Sequence, residues 1–377
     1  MIAIAIAMSV INFIKDLWRG LQFVLSIQFW RMALLWTLSV LFSHFQLLKD
    51  SLFSHKIVYP RCSFSTYPNT PVCVITGATS GLGFSTACKI SKEGFLIVIV
   101  GRSEKLLSET IRKIKDFNED AQLKAFQADL SSVESIIKFE SSLRQWLLDS
   151  NLHCSVQILI NNAGLLATSP RVTAEGYDQM IGTNYVGAFV LTKLLLPLLE
   201  NSLVSSKVVN VTSFTHRAVT NMQVDEGTVS GKKFLSTNHY PYAQVYEYSK
   251  LCLLLFSFEL HRQLTQMGKS HQIFVNVADP GIVQTNIMRE VPACLSWLAY
   301  FVLKRLRLLQ SPDCGKDSIV DAAFAPPGTS GAYFFGGKGR TINSSALSRN
   351  TKLAHELWET TCNMLSVTPF GNERNSF

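Results

Sequence analysis

The chain has 377 residues, 47% hydrophobic and 16% charged, which excludes a disordered protein and fits one large domain with or without an appendage. Its formal net charge is +8, but Lys and Arg are dispersed and form no long block with interleaved aromatics, which argues against nucleic-acid binding. The eight cysteines show no CxxC or other metal-ligand spacing, so we expect reduced thiols, no disulfides and no metal site.

The first 50 residues differ in composition from the rest of the chain. An apolar run at 1–14 is interrupted at Lys15, and a second run at 32–48 carries no formal charge. A membrane span needs about 20 apolar residues, so the second run is only just long enough. We expect residues 1–50 to attach the protein to a membrane, by spanning it or by lying in its interface, with a core-docked helix as the alternative. Residues 51–71 are predicted to form a linker.

From Val72 onward, short apolar runs alternate with longer amphipathic stretches. The strand-like runs are 72–76, 95–100, 123–128, 156–160, 207–212 and 273–278. This order predicts right-handed crossovers and therefore an α/β fold, a doubly wound and mostly parallel sheet with helices on both faces. We assign 72–366 to this Rossmann-like domain, which closes with a short strand at 331–335 and a helix near 349–366. We expect 367–377 to be frayed.

The first predicted strand runs directly into the glycine-containing turn TGATSGLGFSTA at 76–87. Gly77 permits the tight turn, Gly81 lets backbone N–H groups approach a phosphate, and Gly83 lets the following helix pack on the strand. Because a strand precedes the turn and a helix follows it, we expect a dinucleotide-binding turn rather than an ordinary one. Ser80 and Leu82 are further predicted cofactor contacts.

Five later motifs follow in a fixed order: NNAG at 161–164, TN at 183–184, NVTS at 210–213, YEYSK at 246–250 and DPGIVQT at 279–285. With the GxxxGxG spacing of the turn, they make the chain resemble the short-chain dehydrogenase/reductase family from 72 to about 340. The stretch at 248–264 most resembles the branch that holds the retinol dehydrogenases and the X-chromosome-linked member. The resemblance implies an NAD(P)-dependent oxidoreductase acting on CH–OH groups.

Tyr246 and Lys250 stand four positions apart and would share one face of a helix, whereas Tyr248 would point elsewhere. The resemblance implies that Tyr246 exchanges a proton with the substrate oxygen. Lys250 would lower the pKa of that phenol and hold the nicotinamide ribose. Ser213 would hydrogen-bond the substrate oxygen, and Asn184 would hold a water that relays protons. For any one of these residues, an ordinary packing role is the alternative.

Arg102 follows the second strand, where NAD binders usually carry an acidic residue for the adenosine 2′-hydroxyl. A guanidinium suits a 2′-phosphate better, so NADP(H) is favoured over NAD(H), with an arginine in a solvated loop as the alternative. The resemblance implies that Asp129 accepts a hydrogen bond from the adenine amino group. The other cofactor contacts that it implies are Asn162, Ala163, Gly164, Tyr246, Lys250, Pro280, Gly281 and Thr285.

The apolar segment 291–310 occupies the position of the family's variable lid and ends in Lys304, Arg305 and Arg307. It predicts an apolar wall of the substrate site that could also insert into a membrane, with a buried lid helix as the alternative. We therefore expect a membrane-attached enzyme for a lipophilic alcohol, aldehyde or ketone, such as a retinoid, steroid or isoprenoid. The endoplasmic reticulum is the first expectation for its location, and the plastid envelope and a homodimer are left open.

Two other functions were weighed against this one. A redox-sensing subunit would bind NADPH to regulate a membrane complex with little turnover, and the complete set of Ser213, Tyr246 and Lys250 argues against it. A sugar-nucleotide epimerase usually carries GxxGxxG and a longer substrate domain, and both the glycine spacing and the length disfavour that function.

Overall fold

A computed structural model of the chain describes residues 15, 17, 18, 20–53, 58–63, 70–150 and 152–366. The predicted runs at 1–14 and 367–377 lie outside the described residues. Seven parallel strands form one sheet in the order β3-β2-β1-β4-β5-β6-β9. They are β1 (Val72–Thr76), β2 (Leu96–Gly101), β3 (Gln122–Gln127), β4 (Ile158–Asn161), β5 (Ser206–Val211), β6 (Ile273–Asp279) and β9 (Tyr333–Phe335).

Two short parallel strands, β7 (Ile282–Val283) and β8 (Leu309–Gln310), pair with each other beside the sheet. The helices of the domain are α2 (Gly81–Ser91), α3 (Glu104–Phe117), α4 (Val133–Asp149), α5 (Gln179–Glu200), α6 (Glu226–Val229), α7 (Lys232–Leu235), α8 (Tyr242–Gln266), α9 (Ala293–Arg305), α10 (Pro312–Ala323) and α11 (Thr351–Ser366). A further helix, α1 (Ile27–Phe53), precedes the domain. The predicted doubly wound α/β fold is confirmed.

The central strands β1 and β2 are buried on both faces, which explains why they are almost continuously apolar instead of alternating, whereas the edge strand β3 is only partly buried and carries polar residues. Successive side chains of a strand point to opposite faces, so β1 contributes to two hydrophobic layers. Val72 and Val74 belong to one layer, and Cys73 and Ile75 belong to the other. The chain order reverses between β1 and β4, and a ligand crevice is expected at the carboxyl ends of strands beside such a switch point.

Two described helices are long and apolar enough to cross a membrane, α1 and α5. The most apolar window of α5 is 83% buried, which makes α5 a core helix of the domain. The corresponding window of α1 is only 22% buried. Of these two helices, α1 is therefore the one that presents a broad apolar surface outside the core.

The segment that joins α1 to the sheet contacts the domain where it is described. Tyr59 N donates to Gly339 O at 3.0 Å, and Cys62 N donates to Phe324 O at 2.7 Å. Arg61 Nε lies 2.7 Å from a carboxylate oxygen of Asp321. Residues 58–63 of the predicted linker are thus docked on the α/β domain.

Candidate active site

The glycine turn joins the carboxyl end of β1 to the first turn of α2. Gly77 and Gly81 adopt φ values of +64° and +54°, which L side chains rarely adopt. A Cβ atom at Gly83 would stand 2.4 Å from the carbonyl oxygen of Gly77. All three predicted glycines are therefore required by the backbone, and they leave open the space in front of the helix.

This turn fits a dinucleotide phosphate. The first N–H groups of a helix have no intrahelical acceptors, and Ser80 at the N-cap of α2 makes no capping hydrogen bond with its side chain. Asn162 braces the turn from β4, because its Nδ2 donates to Thr76 O at 2.8 Å and to Gly77 O at 3.2 Å. The uncapped N–H groups and the helix dipole suit an anion at this position.

Arg102 and Asp129 follow the carboxyl ends of β2 and β3, and both line the same cavity as the turn. Arg102 is exposed at the edge, and its carbonyl oxygen accepts from Gln127 Nε2 at 2.9 Å. The Ser103 hydroxyl caps α3 by accepting from Leu106 N at 3.3 Å. One Asp129 oxygen accepts from Ser131 N at 2.9 Å. Arg102 is the cation that these loops place at the cofactor end of the cavity.

The predicted catalytic residues converge at the other end. Tyr246 and Lys250 lie on one face of α8, with Lys250 Nζ 5.8 Å from the centroid of the Tyr246 ring. Ser213 follows β5 and is hydrogen-bonded to the Tyr246 phenol. Lys250 Nζ donates to Val211 O at 3.0 Å, and Thr212 Oγ1 donates to Lys250 O at 3.0 Å. These contacts fix α8 against β5 and hold the three side chains together.

The electrostatics of this cluster differ from the expectation for Tyr246. We expected Lys250 to lower the pKa of the phenol, but burial raises it, and the carboxylate of Asp279 raises it further. The hydrogen bond from Ser213 offsets only part of that shift. Burial also lowers the pKa of Lys250 to about 8. The phenol is therefore held in its protonated form, the form that can donate a proton.

Asn184 lies in a π-helical turn of α5, Gly182–Val186, and its side chain is buried. Its Oδ1 accepts from Leu165 N at 2.8 Å, and its Nδ2 donates to Leu165 O and to Ser249 Oγ, each at 3.0 Å. Both side-chain N–H groups and one of the two Oδ1 lone pairs are therefore occupied by protein partners. A relay water at this residue would have to bond to the main chain or to the second Oδ1 lone pair, and the side chain itself orders the loop after β4.

The loop after β6 closes the cavity. Gly281 has a φ of +71°, and its N–H donates to Asp279 Oδ1 at 2.9 Å. Thr285 caps a 3₁₀ turn through Ile287 N and touches the glycine turn, since a Cβ at Gly81 would stand 3.1 Å from Thr285 Cγ2. Pro280, Gly281 and Thr285 thus face α2 across the cavity.

One cavity of about 590 Å³ brings these residues together. Apart from Asn184, every predicted site residue lines it: Gly77, Ser80, Gly81, Leu82, Gly83, Arg102, Asp129, Asn162, Ala163, Gly164, Ser213, Tyr246, Lys250, Pro280, Gly281 and Thr285. Thr183, the neighbour of Asn184, lines it instead. Among the described residues, the hydroxyls of Thr183 and Thr215 are buried at this cavity without a hydrogen-bond partner.

The sequence predicted one of the two apolar walls of the cavity. Part of α9 lines it, as expected for the segment 291–310, through Leu295, Leu298 and Leu303. The other apolar wall is α1, which contributes Met32 and Trp36. In the run at 32–48, the small polar residues Ser39 and Ser43 stand four positions apart and are buried, whereas the leucines at 34, 38 and 41 are exposed. Helical spacing of small polar residues was therefore the sequence signal for this protein-facing side, and the prediction from apolar composition missed it.

Comparison with known proteins agrees with this geometry. Residues 71–224 match the family model described as short chain dehydrogenase. The human polyprenol dehydrogenase is 33% identical over 80% of this chain and 87% of its own length. The mouse retinol dehydrogenase 12 is 30% identical over 78% of this chain and 86% of its own length. A solved, uncharacterised protein from Mycobacterium paratuberculosis superposes with a TM-score of 0.60 at 26% identity, covering 81% of this chain and 95% of that one.

Proposed function

This chain belongs to the short-chain dehydrogenase family and is an oxidoreductase acting on CH–OH groups, and from that premise we propose that it interconverts a lipophilic alcohol and its aldehyde or ketone with NADP(H). The observation that carries the proposal is the position of Tyr246. Its phenol, hydrogen-bonded to Ser213, stands where the polar cofactor end of the cavity meets walls formed by Trp36 and Leu303.

The proposed chemistry assigns each polar side chain one task. In the reducing direction the Tyr246 phenol donates its proton to the carbonyl oxygen, and in the oxidising direction the phenolate, formed after the phenol has released its proton to solvent, accepts the alcohol proton. The Ser213 hydroxyl orients both the phenol and the substrate oxygen. The Lys250 ammonium stabilises negative charge on the phenol as the proton leaves and hydrogen-bonds the ribose. A bound nicotinamide would supply or accept the hydride.

The size of the cavity indicates how a long substrate would bind. Ligand sites of about 300–1,000 Å³ hold one drug-sized molecule, and this single cavity of about 590 Å³ must hold a dinucleotide as well. Only the reacting end of a long lipid would fit inside, with its tail running out past α1 and α9. We therefore propose an isoprenoid alcohol of the polyprenol type first, and a retinoid second, in line with the relatives.

A substrate panel tests this proposal. Isoprenoid, retinoid and steroid alcohols are each offered in phospholipid vesicles with NADP⁺ or with NAD⁺, and product is detected by mass spectrometry. The full chain should oxidise the isoprenoid alcohol fastest, and faster with NADP⁺ than with NAD⁺. A short sugar alcohol serves as the control and should not react. If only the sugar alcohol were oxidised, the lipophilic assignment would be wrong.

The cofactor preference gives a separate prediction. Arg102→Asp should weaken NADPH binding by about 10- to 150-fold, because a charge-assisted hydrogen bond of roughly 1.5–3 kcal/mol is replaced by repulsion. NADH binding should change much less, since NADH lacks the 2′-phosphate. Lys105→Asp is the matched control, because Lys105 is exposed in the first turn of α3, three residues from Arg102, and does not line the cavity. Fluorescence titration of the wild type and the two variants with both cofactors measures the six affinities, and equal losses of the two cofactors in Arg102→Asp would contradict the assignment.

We also propose that α1 and α9 attach the protein to a membrane in the plane of its interface. The inner side of α1 contacts the domain from Arg31, beside α8, to Leu47, beside Gly336. A helix held along its length in this way cannot cross the bilayer while the domain stays in water. Its outer side is apolar and exposed, as is the side of α9 around Trp297.

Basic side chains accompany these two apolar surfaces. Lys304, Arg305 and Arg307 are exposed at the end of α9, and Lys49 is exposed near the end of α1. Amphipathic interfacial helices combine such cations with large apolar residues, because the cations reach the anionic lipid head groups. We propose the endoplasmic reticulum as the membrane and keep the plastid envelope as the alternative. Imaging of a fluorescently tagged chain would distinguish the two locations.

Polar substitutions on the outer side of α1 should release the protein from membranes. Leu34, Leu38 and Leu41 are 56%, 61% and 45% exposed, and changing all three to Gln removes apolar area without altering the domain contacts. We expect vesicle binding to fall by at least about tenfold, as lost burial of apolar surface dictates. The matched control changes three exposed leucines elsewhere, Leu106, Leu148 and Leu203. Co-sedimentation with vesicles checks the result, and equal binding of the two triple variants would contradict in-plane attachment.

A further inference from the structure

The helix α1 reaches directly to the predicted catalytic tyrosine. The ring of Trp36 lies 5.6 Å from the ring of Tyr246, centroid to centroid. Met32, Ala33 and Thr37 line the same cavity. The membrane-facing helix thus also forms the wall nearest to the group that would exchange the proton.

Glu247, the residue after Tyr246, binds this wall to α8. Its side chain is 0% exposed, and Arg31 Nε donates to its two oxygens at 2.9 and 2.8 Å. Trp36 Nε1 donates to Oε1 of the same carboxylate at 2.7 Å. Arg31 also donates to Ala218 O at 3.3 Å. A single buried carboxylate therefore holds two points of α1, Arg31 just before the π-helical turn Met32–Trp36 and Trp36 at its last residue.

Packing alone would not require a charged group at this place. Burial raises the pKa of Glu247, and its bonds to Arg31 and Trp36 offset only part of that shift. Apolar residues of similar size could join two helices without desolvating an ion pair. A charged pair instead fixes one arrangement, because rotating or sliding α1 by one residue would leave the carboxylate buried and unpaired. The contact therefore sets where the Trp36 ring lies relative to Tyr246.

We propose that Glu247 is a positioning residue that fixes α1 over the active site, and that Trp36 is a specificity-determining residue for the lipophilic substrate. The second half of this inference rests on the proposed function, since a wall beside Tyr246 selects substrate only if an apolar substrate binds there. The N-terminal helix is accordingly part of the active site as well as a membrane-facing surface.

A single variant and its charge-compensating double variant, both of the full chain, test the positioning role. Arg31→Met leaves the Glu247 carboxylate buried and unpaired, so KM for the lipid alcohol should rise roughly tenfold, within the range for coupled neighbours. Arg31→Met combined with Glu247→Gln removes that charge while a side-chain oxygen still accepts from Trp36, and most of the loss should be recovered. NADPH affinity should stay within about twofold in both variants, because neither residue lines the cofactor end.

A second buried pair on the same helix provides the matched control. Arg262 pairs with Glu259, whose side chain is 1% exposed, and both residues lie on α8 but line no part of the cavity. Arg262→Met should lower stability and leave KM unchanged. A KM change as large as that of Arg31→Met would mean that any lost pair on α8 disturbs the site, which would overturn the specific role of Glu247.

Trp36 is tested by a change that leaves the Arg31 pair in place. Trp36→Ala should raise KM for the lipid alcohol by roughly tenfold and leave NADPH affinity within about twofold, because it removes only a wall of the substrate end. An unchanged KM for each lipid alcohol of the panel would overturn the specificity role.

Hydrogen exchange gives a readout that does not depend on turnover. Peptides covering 27–37 should lose protection in Arg31→Met and regain it in the double variant, whereas Arg262→Met should leave them protected. Undiminished protection in Arg31→Met, or a double variant no better than Arg31→Met, would overturn the positioning role. If the wild type oxidised no lipid alcohol, the proposed function and the role of Trp36 would fail together, and the exchange data would still decide the role of Glu247.

Discussion

Tyr246→Phe should lower kcat by about 10²- to 10⁴-fold with any accepted substrate, the range for losing a general acid, while NADPH binding stays nearly intact. The substitution keeps the ring, which packs beside Trp36, and removes only the hydroxyl that bonds to Ser213. Steady-state turnover and a separate NADPH titration measure the two effects. A redox-sensing subunit would bind cofactor equally well in both forms and show little turnover in either.

The neighbouring tyrosine supplies the matched control for this experiment. Tyr248 lies two positions away on another side of α8, and its hydroxyl donates to Asn221 O at 2.9 Å. Tyr248→Phe should therefore cost about 1 kcal/mol of stability and keep most of the activity. An active Tyr246→Phe enzyme, or an inactive Tyr248→Phe enzyme that still folds and binds cofactor, would show that the wrong side of α8 has been assigned to catalysis.

Lys250→Met should damage both turnover and cofactor binding. Its ammonium lies near the phenol and would bond to the ribose, so we expect NADPH affinity to fall by roughly 1.5–3 kcal/mol, the worth of a charged hydrogen bond. Burial lowers the pKa of Lys250 to about 8, below its usual 10.5. The ammonium is thus present below about pH 8 and lost as the pH rises through that value. NADPH affinity of the wild type should fall above pH 8, and that of Lys250→Met should not.

Lys207 is the matched control for Lys250. It is also buried, its pKa is also lowered by burial to about 8, and its Nζ donates to the backbone carbonyl of Ala325. It lies on β5 and does not line the cavity. Lys207→Met should leave turnover and the pH dependence of NADPH affinity unchanged. The same loss in both variants would indicate a general effect of removing a buried lysine.

The fold was predictable because strands that are buried on both faces, such as β1 and β2, must be mostly apolar, which distinguishes them from the amphipathic helices between them. The run at 72–76 coincides with β1, and the run at 273–278 lies within β6. The ends of the strands were less well predicted. The run at 331–335 becomes a strand only from Tyr333, because Gly331 takes a φ of +71°. The spacing of Tyr246 and Lys250 on one side of α8 was predictable for a similar reason, since it depends on helix geometry alone.

The features that sequence could not supply depend on tertiary burial. The pKa of Tyr246 depends on how deeply the phenol is buried and on Asp279, which spacing to Lys250 does not reveal. The wall formed by Trp36 depends on a contact with Glu247 between distant parts of the chain. An apolar helix can face lipid or protein equally well. The run at 32–48 therefore predicted a membrane segment, and it did not show that the same helix lines the active site. In the sequence, the charge of Glu247 inside the YEYSK motif was the one indication that a cation packs against this helix.

Transfer of a labelled hydride tests the central claim most directly. A long isoprenoid alcohol carrying deuterium on its carbinol carbon would be incorporated into phospholipid vesicles with the full-length wild-type protein and NADP⁺. We predict that deuterium appears in the reduced cofactor and that the matching aldehyde forms, and that neither occurs with Tyr246→Phe. A wild-type protein that binds NADP⁺ but transfers no deuterium from the isoprenoid, from a labelled retinoid or from a labelled steroid would contradict the account.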